Sequence, residues 1–481
     1  MKKRSLFISA AAALTVAAAL AGCGTTSYFA GRTLPPSGLV NRVLIAIQNP
    51  SVLSKGELIF VDAFYDIRSG YNGAPGYFSI SGFTGALPVT IQNMPEEQSG
   101  AVYGSGDGSY NLVNYAKESS TNAQSGLNGA SFSVFMTRNQ IYTFAASQSS
   151  HVLTVVDHTS GSYPLSLPGV YRVSVNPGGS AALAFVENSN YAYYPRKLTG
   201  AQTIAYSGGP TTWPKAAVDC EPQSAPGWCL FQAQSPDHVD PTGNYYGAPL
   251  VFDRPLKAVF SADGGTAYVL NCGPECGGSK ASITSLPVAP MIYLIGQQSG
   301  TLPTNAALAS STINVPGGAS NALVDSSTMY VVGQQLQTDG LFAGNLTIVN
   351  LLNNTAGTPI SISDGAPGAV SRMLLADDNT LWIGMTKCNN GERAAHNRPF
   401  GCLTMVNTAN NSVTLQPYLG DLTGIAGVTG LHKVYVAQGG QVYIYRTTDG
   451  ASIDNQYVTV TGTAYDVAYM DGLTDGNNTV Y

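Results

Sequence analysis

A short hairpin pattern recurs along most of the chain, and it constrains the fold more than any other feature of the sequence. Its clearest copy spans residues 257–271, KAVFSADGGTAYVLN, where two apolar strands flank a tight turn. In that turn Asp263 can bond its own backbone, and Gly264 accepts the positive φ that hairpin turns demand. The pattern predicts an antiparallel sheet assembled from repeated hairpins.

Copies of the hairpin and of the strands that follow it are spread over the chain. Seven further hairpins span residues 101–115, 131–145, 171–186, 321–332, 371–384, 424–437 and 465–481. A third strand that ends in a turn is predicted at residues 58–62, 152–157, 291–295, 346–350, 403–407 and 442–446. Fourth strands are predicted at residues 162–167 and 358–362.

Four antiparallel strands repeated every roughly 40–60 residues are typical of the blades of a β-propeller. One blade cannot bury both of its faces, so neighbouring blades must stack around an axis. The sequence therefore predicts an all-β, seven-bladed propeller of four-stranded antiparallel blades. Eight hairpins occur, which makes eight blades the alternative. Seven are preferred because the turns at Asp107 and Asn139 are too close together to enclose a full blade.

The two ends of the chain are predicted to share one blade. Residues 465–481 read as a first and second strand, whereas the chain begins with an apolar strand at 42–48 and a third-strand copy at 58–62. Such sharing would close the ring and would hold termini that otherwise fray.

Composition agrees with an exported β-protein. Hydrophobic residues make up 44% of the 481 residues, which is enough for a core, but charged residues make up only 10%, against roughly 25% in typical soluble domains. No segment of ten or more residues after the N-terminus shows a helical period. The net charge is −6 and no basic cluster occurs beyond the first four residues, so no nucleic-acid partner is expected.

Several segments resemble a known repeat family. FSADGGTAYVLN, VYVAQGGQVYIYRTTDG and LTIVNLLNNTAG are similar to the YVTN-type (YncE-like) propeller repeat, whose unit reads approximately VAVSPDG…VYVTN…VTVIDTATG. The resemblance is clear in about five units and extends weakly over most of residues 42–481. It implies an extracytoplasmic propeller used for binding, and it carries no catalytic motif to this chain.

The N-terminus resembles a bacterial lipoprotein signal. Three basic residues precede an apolar stretch that is too short for a stable membrane span, and the stretch ends in Leu20-Ala21-Gly22-Cys23. The resemblance implies removal of residues 1–22, lipidation of Cys23, a tether over residues 23–40 and the propeller over 41–481. Gly24 after the cysteine implies the outer membrane rather than the inner one. An ordinary secretory signal is the alternative.

Six cysteines remain after Cys23, and they form three local couples. In an exported protein an even count predicts disulfides. The expected bridges are Cys220–Cys229, Cys272–Cys276 and Cys388–Cys402. Zinc at Cys272 and Cys276 is the alternative, but no further ligands stand at suitable spacing, so no metal and no cofactor are expected.

The first predicted insertion spans about residues 207–255 and contains Trp213, Trp228 and His238. Aromatic side chains stiffened by a disulfide suit contact with a glycan or peptide. Packing of both tryptophans onto the propeller is the alternative, and a solvated turn is the alternative to a cation site around His238.

The second predicted insertion, residues 388–402, concentrates charge in a charge-poor chain. It contains Arg393, His396 and Arg398 inside the expected Cys388–Cys402 bridge. Arginine suits carboxylates and phosphates, so the loop is a candidate for binding an anionic ligand. A polar exposed loop is the alternative.

The sequence favours a lipid-anchored, non-catalytic binding module of the cell envelope, expected to be a monomer, whose ligand is a protein, a glycan or a small molecule. The alternative is a propeller enzyme, such as a lactonase-like hydrolase or a sugar lyase, with its site at a channel mouth. A structural scaffold is a third hypothesis. No G-x-S-x-G, H-E-x-x-H or P-loop motif occurs.

Overall fold

The structure is a computed structural model that describes most of the chain after residue 33. The described ranges are 34–49, 56–67, 79–83, 87–94, 97–104, 108–121, 124, 126–198, 200–209, 213–214, 217–234, 238–239, 245–246, 248–288, 311–363, 370–388, 395–397, 401–453, 458 and 460–474. Cys23 and the predicted signal peptide lie outside them.

Strands dominate the described residues. The first half contains β1 (Asn41–Gln48), β2 (Gly56–Asp62), β3 (Ser79–Ile80), β4 (Pro88–Asn93), β5 (Ser99–Gly104), β6 (Tyr110–Asn114), β7 (Ser119–Ser120), β8 (Ser133–Met136), β9 (Tyr142–Ser147), β10 (Val152–Asp157), β11 (Gly161–Ser166), β12 (Val170–Val175), β13 (Ala182–Val186), β14 (Ala192–Lys197), β15 (Ala217–Glu221), β16 (Trp228–Gln232), β17 (His238–Val239) and β18 (Tyr245–Tyr246).

The second half contains β19 (Pro255–Phe260), β20 (Thr266–Asn271), β21 (Ser282–Pro287), β22 (Ser311–Asn314), β23 (Asn321–Asp325), β24 (Thr328–Leu336), β25 (Phe342–Asn350), β26 (Thr355–Ala356), β27 (Ile360–Ser363), β28 (Val370–Ala376), β29 (Thr380–Met385), β30 (Leu403–Asn407), β31 (Ser412–Leu415), β32 (Leu422–Val428), β33 (Lys433–Gln438), β34 (Gln441–Arg446), β35 (Ser452–Ile453) and β36 (Thr463–Asp471). Within the described ranges, the short helix α1 (Gly200–Ala205) and 3-10 turns at Gly273–Cys276 and Asp377–Asn379 accompany the strands.

The strands form eight antiparallel blades, so the prediction of seven is wrong and the alternative of eight is confirmed. Blade 1 has the order β36-β1-β2-β3, and blades 2, 3, 5, 7 and 8 are β4–β7, β8–β11, β19–β22, β28–β31 and β32–β35. Blade 4 has the order β12-β13-β14-β16-β15, and blade 6 comprises β23–β27. A small ribbon, β17–β18, stands apart from the blades.

The turns at Asp107 and Asn139 are close together in the sequence because they are not equivalent turns of their blades. Residues 101–115 pair β5 with β6, which are the second and third strands of blade 2, whereas β4 is its first strand. The first turn of that blade therefore lies at 94–98, a full blade away from Asn139. In blade 5 the third strand is β21, not the predicted residues 291–295, which lie outside the described residues.

The ring closes as the sequence predicts, by sharing blade 1 between the chain ends. β36 pairs along its length with β1, and β1 in turn pairs with β2. The second strand of this blade is therefore β1 and not the end of the predicted 465–481 hairpin, whose last residues lie outside the described residues.

Eight apolar clusters fill the spaces between consecutive blades. Each blade is covered on both faces, so its middle strands are apolar on both sides. All six residues of β29, TLWIGM, are buried for this reason. A strand covered on one face only would instead alternate apolar with polar residues.

The turn between β19 and β20 confirms the opening hairpin. Asp263 Oδ1 accepts the Gly265 N–H at 3.0 Å, and Gly264 has φ of 69°. A residue with a Cβ atom rarely adopts that φ. The side chain and the glycine together set the register of blade 5.

All three expected disulfides are present: Cys220–Cys229, Cys272–Cys276 and Cys388–Cys402. The first joins directly opposed residues of β15 and β16. Disulfides of this kind are typical of compartments outside the cytoplasm. Among the described residues, no helix is long and apolar enough to cross a membrane.

A buried arginine ties the closing blade to blade 2. Arg42 on β1 is fully buried, pairs with Glu118 at 3.1 Å and donates to the Tyr115 carbonyl at 2.7 Å. Its other terminal nitrogen donates to Gln98 Oε1 at 3.0 Å. The guanidinium thus joins groups that are far apart in the sequence at the point where the ring closes.

Replacing Arg42 with Met should lower the free energy of unfolding by about 3–5 kcal/mol, because breaking a buried ion pair leaves Glu118 without its cation. Arg446→Met is the matched control, since the Arg446–Asp449 pair is exposed and such pairs contribute about 0–1 kcal/mol. Chemical denaturation of the variants measures both changes. Equal losses in the two variants would contradict the role assigned to Arg42.

Candidate functional site

The first strands of neighbouring blades contact one another, which places them at the central axis, and most of them carry an irregularity near one end. In blades 1, 2, 4, 5, 7 and 8 the pairing of the first and second strands skips one residue near the end that faces one channel mouth. Such a bulge bends the strand and redirects the next side chain.

The residues that occupy this position form a set that we call the channel ring. In order around the axis they are Asp466 in blade 1, Thr90, Ser133, Arg172, Lys257, Asn321, Arg372 and Gly424 in blade 8. Each pairs with the matching position of its second strand. The ring holds three cations and one carboxylate in a chain with few charges.

Lys257 and Asn321 are joined across neighbouring blades. The Lys257 Nζ donates to Asn321 Oδ1 at 2.8 Å, and the Ala322 N–H donates to the same oxygen at 2.9 Å. Two donors therefore hold the amide oxygen toward the lysine. Asn321 is buried whereas Lys257 is partly exposed.

The two arginines act on the lysine from other blades. Arg172 and Arg372 belong to blades 4 and 7, yet their positive charges disfavour each other and both disfavour charge on Lys257. Arg172, Lys257 and Arg372 occupy the same register position on the first strands of their blades. The three cations therefore lie at equivalent places around one axis.

Arg372 also approaches the single carboxylate of the ring. Its Nη2 lies 3.9 Å from Asp466 Oδ1, although blade 8 stands between their blades. Gly424 makes this approach possible, because a Cβ there would lie 2.6 Å from Asp466 Oδ1. Asp466 Oδ2 meanwhile accepts the Ile91 N–H of blade 2 at 2.9 Å.

Burial shifts the pKa values of the ring toward neutrality. Desolvation, aided by the charges of Arg172 and Arg372, lowers the pKa of Lys257 to about 7. Desolvation raises the pKa of Asp466 to about 6, although Arg372 opposes the change. Both groups therefore change charge near neutral pH, while the guanidiniums stay charged.

Two of the disulfide loops stand at the same mouth as the ring. The first strands begin where the second strands end, so Cys272 after β20 and Cys388 after β29 lie at the end of their blades that carries the ring. These loops carry Cys272–Cys276 and Cys388–Cys402. A cavity of about 460 Å³ also opens between blades 5 and 6, lined by residues that include Pro274, Lys280 and Gln334.

The two tryptophans of the first predicted insertion have different surroundings. Trp228 is buried on β16, with its ring 5.3 Å from that of Tyr142 and 6.4 Å from that of Tyr163, both in blade 3. This is the packing alternative. Trp213 is partly exposed and packs against the cluster between blades 4 and 5.

Residues 207–255 are not a simple insertion, since β15 and β16 complete blade 4. The sequence analysis assigned the whole segment to an insertion and therefore did not predict β15 and β16 as strands. His238 lies in the ribbon β17–β18.

The second predicted insertion is only partly described. His396 is exposed, and Arg393 and Arg398 lie outside the described residues. The structure does not bring His396 or the tryptophans into the channel ring. Among the described residues, no cluster of three or more His, Cys, Asp or Glu side chains is arranged to hold a metal.

The sequence reading missed the channel ring, although a signal was present. Aligning the hairpins places Arg172, Lys257, Arg372 and Asp466 in one column, just before the apolar residues of each first strand. A charge in the same column of four repeats is unusual for a buried sheet. Recognising it requires the blade boundaries that only the structure supplies.

The chain matches no protein-family model and no curated protein. Solved propellers resemble it in structure at low sequence identity. They include the periplasmic gluconolactonase PpgL of Pseudomonas aeruginosa, with 13% identity, a TM-score of 0.40 and coverage of 89% of this chain and 99% of that one. A putative 6-phosphogluconolactonase of Bacteroides fragilis has 10% identity, a TM-score of 0.40 and coverage of 91% and 99%.

A third similar structure is the dihydro-heme d1 dehydrogenase NirN, with 9% identity, a TM-score of 0.47 and coverage of 91% of this chain and 78% of that one. These likenesses concern the β-propeller architecture alone. The chain is an all-β propeller of eight blades.

Replacing Trp228 with Ala should lower the free energy of unfolding by about 3–5 kcal/mol, because it leaves a large cavity between blades 3 and 4. Trp213→Ala is the control from the same segment and should cost less, since that side chain is partly exposed. Thermal or chemical denaturation compares them. A larger loss for Trp213→Ala would contradict the packing role of Trp228.

Proposed function

We propose that the protein is a binding module of the cell envelope whose channel holds a small anion bearing a carboxylate or a phosphate-like group. The observation that carries the proposal is the placement of Arg172, Lys257 and Arg372 at equivalent positions of the channel ring, which has Asp466 as its single carboxylate. The proposal narrows the ligand expected from the sequence to one chemical class.

The ring has unbalanced positive charge. Among the ion pairs of the described residues, none includes Arg172 or Lys257. Arginine forms paired hydrogen bonds with carboxylate and phosphate oxygens. A channel with low-dielectric walls also concentrates the field of such charges. An anion in the channel would offset the repulsion among the three cations.

The net positive charge of the channel ring falls as the pH rises. Below pH 6 Asp466 is largely neutral and Lys257 is charged, so the four ionisable groups sum to about +3. Above pH 8 Lys257 is largely neutral and Asp466 is charged, so the sum falls to about +1. Affinity for an anion of constant charge should therefore rise as pH falls.

Sulfate is a suitable probe, because its charge is constant over this range. Calorimetric titration of residues 24–481 should show binding at least about tenfold tighter at pH 5.5 than at pH 8.5. Lys257→Met should remove the part of this change that occurs near pH 7, and Arg172→Gln should weaken binding at every pH.

Lys117→Met is the control, since Lys117 is exposed on blade 2, far from the ring, and this variant should behave as the unaltered protein does. Binding that is independent of pH, or that is unaffected by Arg172→Gln, would refute the proposal.

The proposal includes the cellular setting that the sequence suggests: a YVTN-type propeller, anchored through a lipidated Cys23 to the outer membrane. Segment 34–40 leads from that tether into β1, which belongs to the closing blade. The anchor would therefore be attached to the closing blade.

Replacing Cys23 with Ala should abolish incorporation of labelled fatty acid, because the thiol would be the acceptor of the lipid. Expression of both forms in a bacterial host with radiolabelled or alkyne-tagged palmitate measures it. Cys272→Ala serves as the control for loss of a cysteine elsewhere in the chain and should still be labelled. Undiminished labelling of the Cys23 variant would remove the lipid anchor from the account.

A further inference from the structure

Besides the guanidiniums of Arg172 and Arg372, the channel ring contains the amine of Lys257. Binding of an anion alone would not require an amine at this position. We propose that Lys257 forms a reversible imine with a small 2-oxo carboxylate whose carboxylate is held by Arg172 and Arg372. This inference rests on the proposed function and extends it by naming a ligand class and a covalent step.

The contacts of Lys257 suit a nucleophile. Its Nζ donates one hydrogen bond, to Asn321 Oδ1 at 2.8 Å, and the Ala322 N–H holds that oxygen in place. A neutral amine that donates to this acceptor keeps its lone pair free on another side of the nitrogen. Asn321 is buried, whereas Lys257 is partly exposed and lies on the first strand of blade 5, beside the axis.

The surroundings also favour the neutral amine that the reaction needs. Desolvation and two neighbouring guanidiniums lower the pKa of Lys257 to about 7, so the neutral form predominates at pH 8. Desolvation and a nearby cation are the two means by which proteins activate lysine toward carbonyl compounds. Both are present at this position.

The choice of ligand follows from the groups that surround the amine. A carboxylate beside the carbonyl carbon would be attracted by Arg172 and Arg372, which hold the same position as Lys257 on the first strands of blades 4 and 7. A simple aldehyde offers the arginines no partner, and a sulfate or phosphate offers the amine no carbonyl. A 2-oxo acid such as pyruvate satisfies both kinds of group.

The covalent step balances without any further reagent. The Nζ lone pair adds to the carbonyl carbon, the π electrons move to the oxygen, and a proton moves from nitrogen to oxygen to give a carbinolamine. The hydroxyl then takes up a proton and leaves as water while the remaining nitrogen proton is lost. One amine and one carbonyl yield one carbon–nitrogen double bond and one water.

Reductive trapping tests the inference. Residues 24–481 are incubated with pyruvate and sodium cyanoborohydride at pH 8, and the protein is analysed by intact mass and by peptide mapping. We expect one reduced pyruvate adduct on the peptide that contains Lys257, formed at least about tenfold faster than at the exposed Lys117, Lys280 and Lys387. Labelling of Lys257 no faster than of these lysines would overturn the inference.

Two matched variants separate binding from bond formation. Lys257→Arg keeps a cation in the ring, so it should still bind sulfate but should form no adduct at that position. Arg372→Gln should slow trapping by pyruvate while leaving the slow labelling of exposed lysines unchanged. An unchanged trapping rate in Arg372→Gln would remove the carboxylate contact from the proposal.

The result distinguishes this inference from the proposed function. Sulfate binding without an adduct at Lys257 would overturn the imine and leave the anion site in place. Absence of sulfate binding would overturn the anion site itself, whatever the labelling. Lactate, which carries a hydroxyl group where pyruvate carries its ketone, should compete with pyruvate and protect Lys257 from trapping.

Discussion

The pairing of β36 with β1 is the interaction on which the rest of the structure depends. Every blade has two apolar faces, and a blade at the end of an open row would leave one of them in water. Pairing of the chain ends within blade 1 removes that exposed face, and eight apolar clusters then follow one another around the axis. The buried contacts of Arg42 with Glu118, Gln98 and the Tyr115 carbonyl lie at this closure.

Closure of the ring also leaves backbone groups at the axis that need hydrogen-bond partners, and side chains of the channel ring provide some of these partners. The first strand of each blade has an edge with no further strand beside it, so its backbone groups need other partners. Side chains of the preceding blade supply several of them. Ser133 Oγ accepts the Val173 N–H at 2.9 Å, and Asp466 Oδ2 accepts the Ile91 N–H at the same distance. Polar residues at the axis are therefore expected on structural grounds alone.

The need for hydrogen-bond partners at the axis does not explain why three residues of the channel ring are cations. Arg172, Lys257 and Arg372 repel one another, and uncharged side chains such as Ser133 would satisfy neighbouring backbone with no such repulsion. Proteins commonly accept electrostatic cost where a ligand offsets it. The three cations are thus better explained by an occupant of the channel than by the packing of the ring.

Much of the fold could be predicted from sequence because the repeat itself encodes it. The turn at Asp263 and Gly264, the third strand Val152–Asp157 and all three disulfides follow from local residue patterns. The blade count was harder, since β4, PVTIQN, is a weak first strand and the stronger hairpin at 101–115 belongs to the next pair of strands. Local periodicity does not distinguish the first turn of a blade from the second.

The candidate site was beyond sequence reading for a different reason. Aromatic and charged residues such as Trp228 and Arg393 are predicted as site residues because each belongs to a segment in which residues of its kind are concentrated. The ring residues lie far apart in the sequence. The hairpin alignment places four of them in one column, but only the pairing of each first strand with its second shows that this column lies at the axis. A bulge that redirects a side chain leaves no local signature in the sequence.

The most direct test of the account is a crystal structure of residues 24–481 grown or soaked with selenate and recorded at the selenium absorption edge. The account predicts an anomalous peak in the channel, within hydrogen-bond distance of Arg172 or Arg372, that is stronger at pH 5.5 than at pH 8.5. Selenate bound only on the outer surface, with no peak in the channel at either pH, would contradict it.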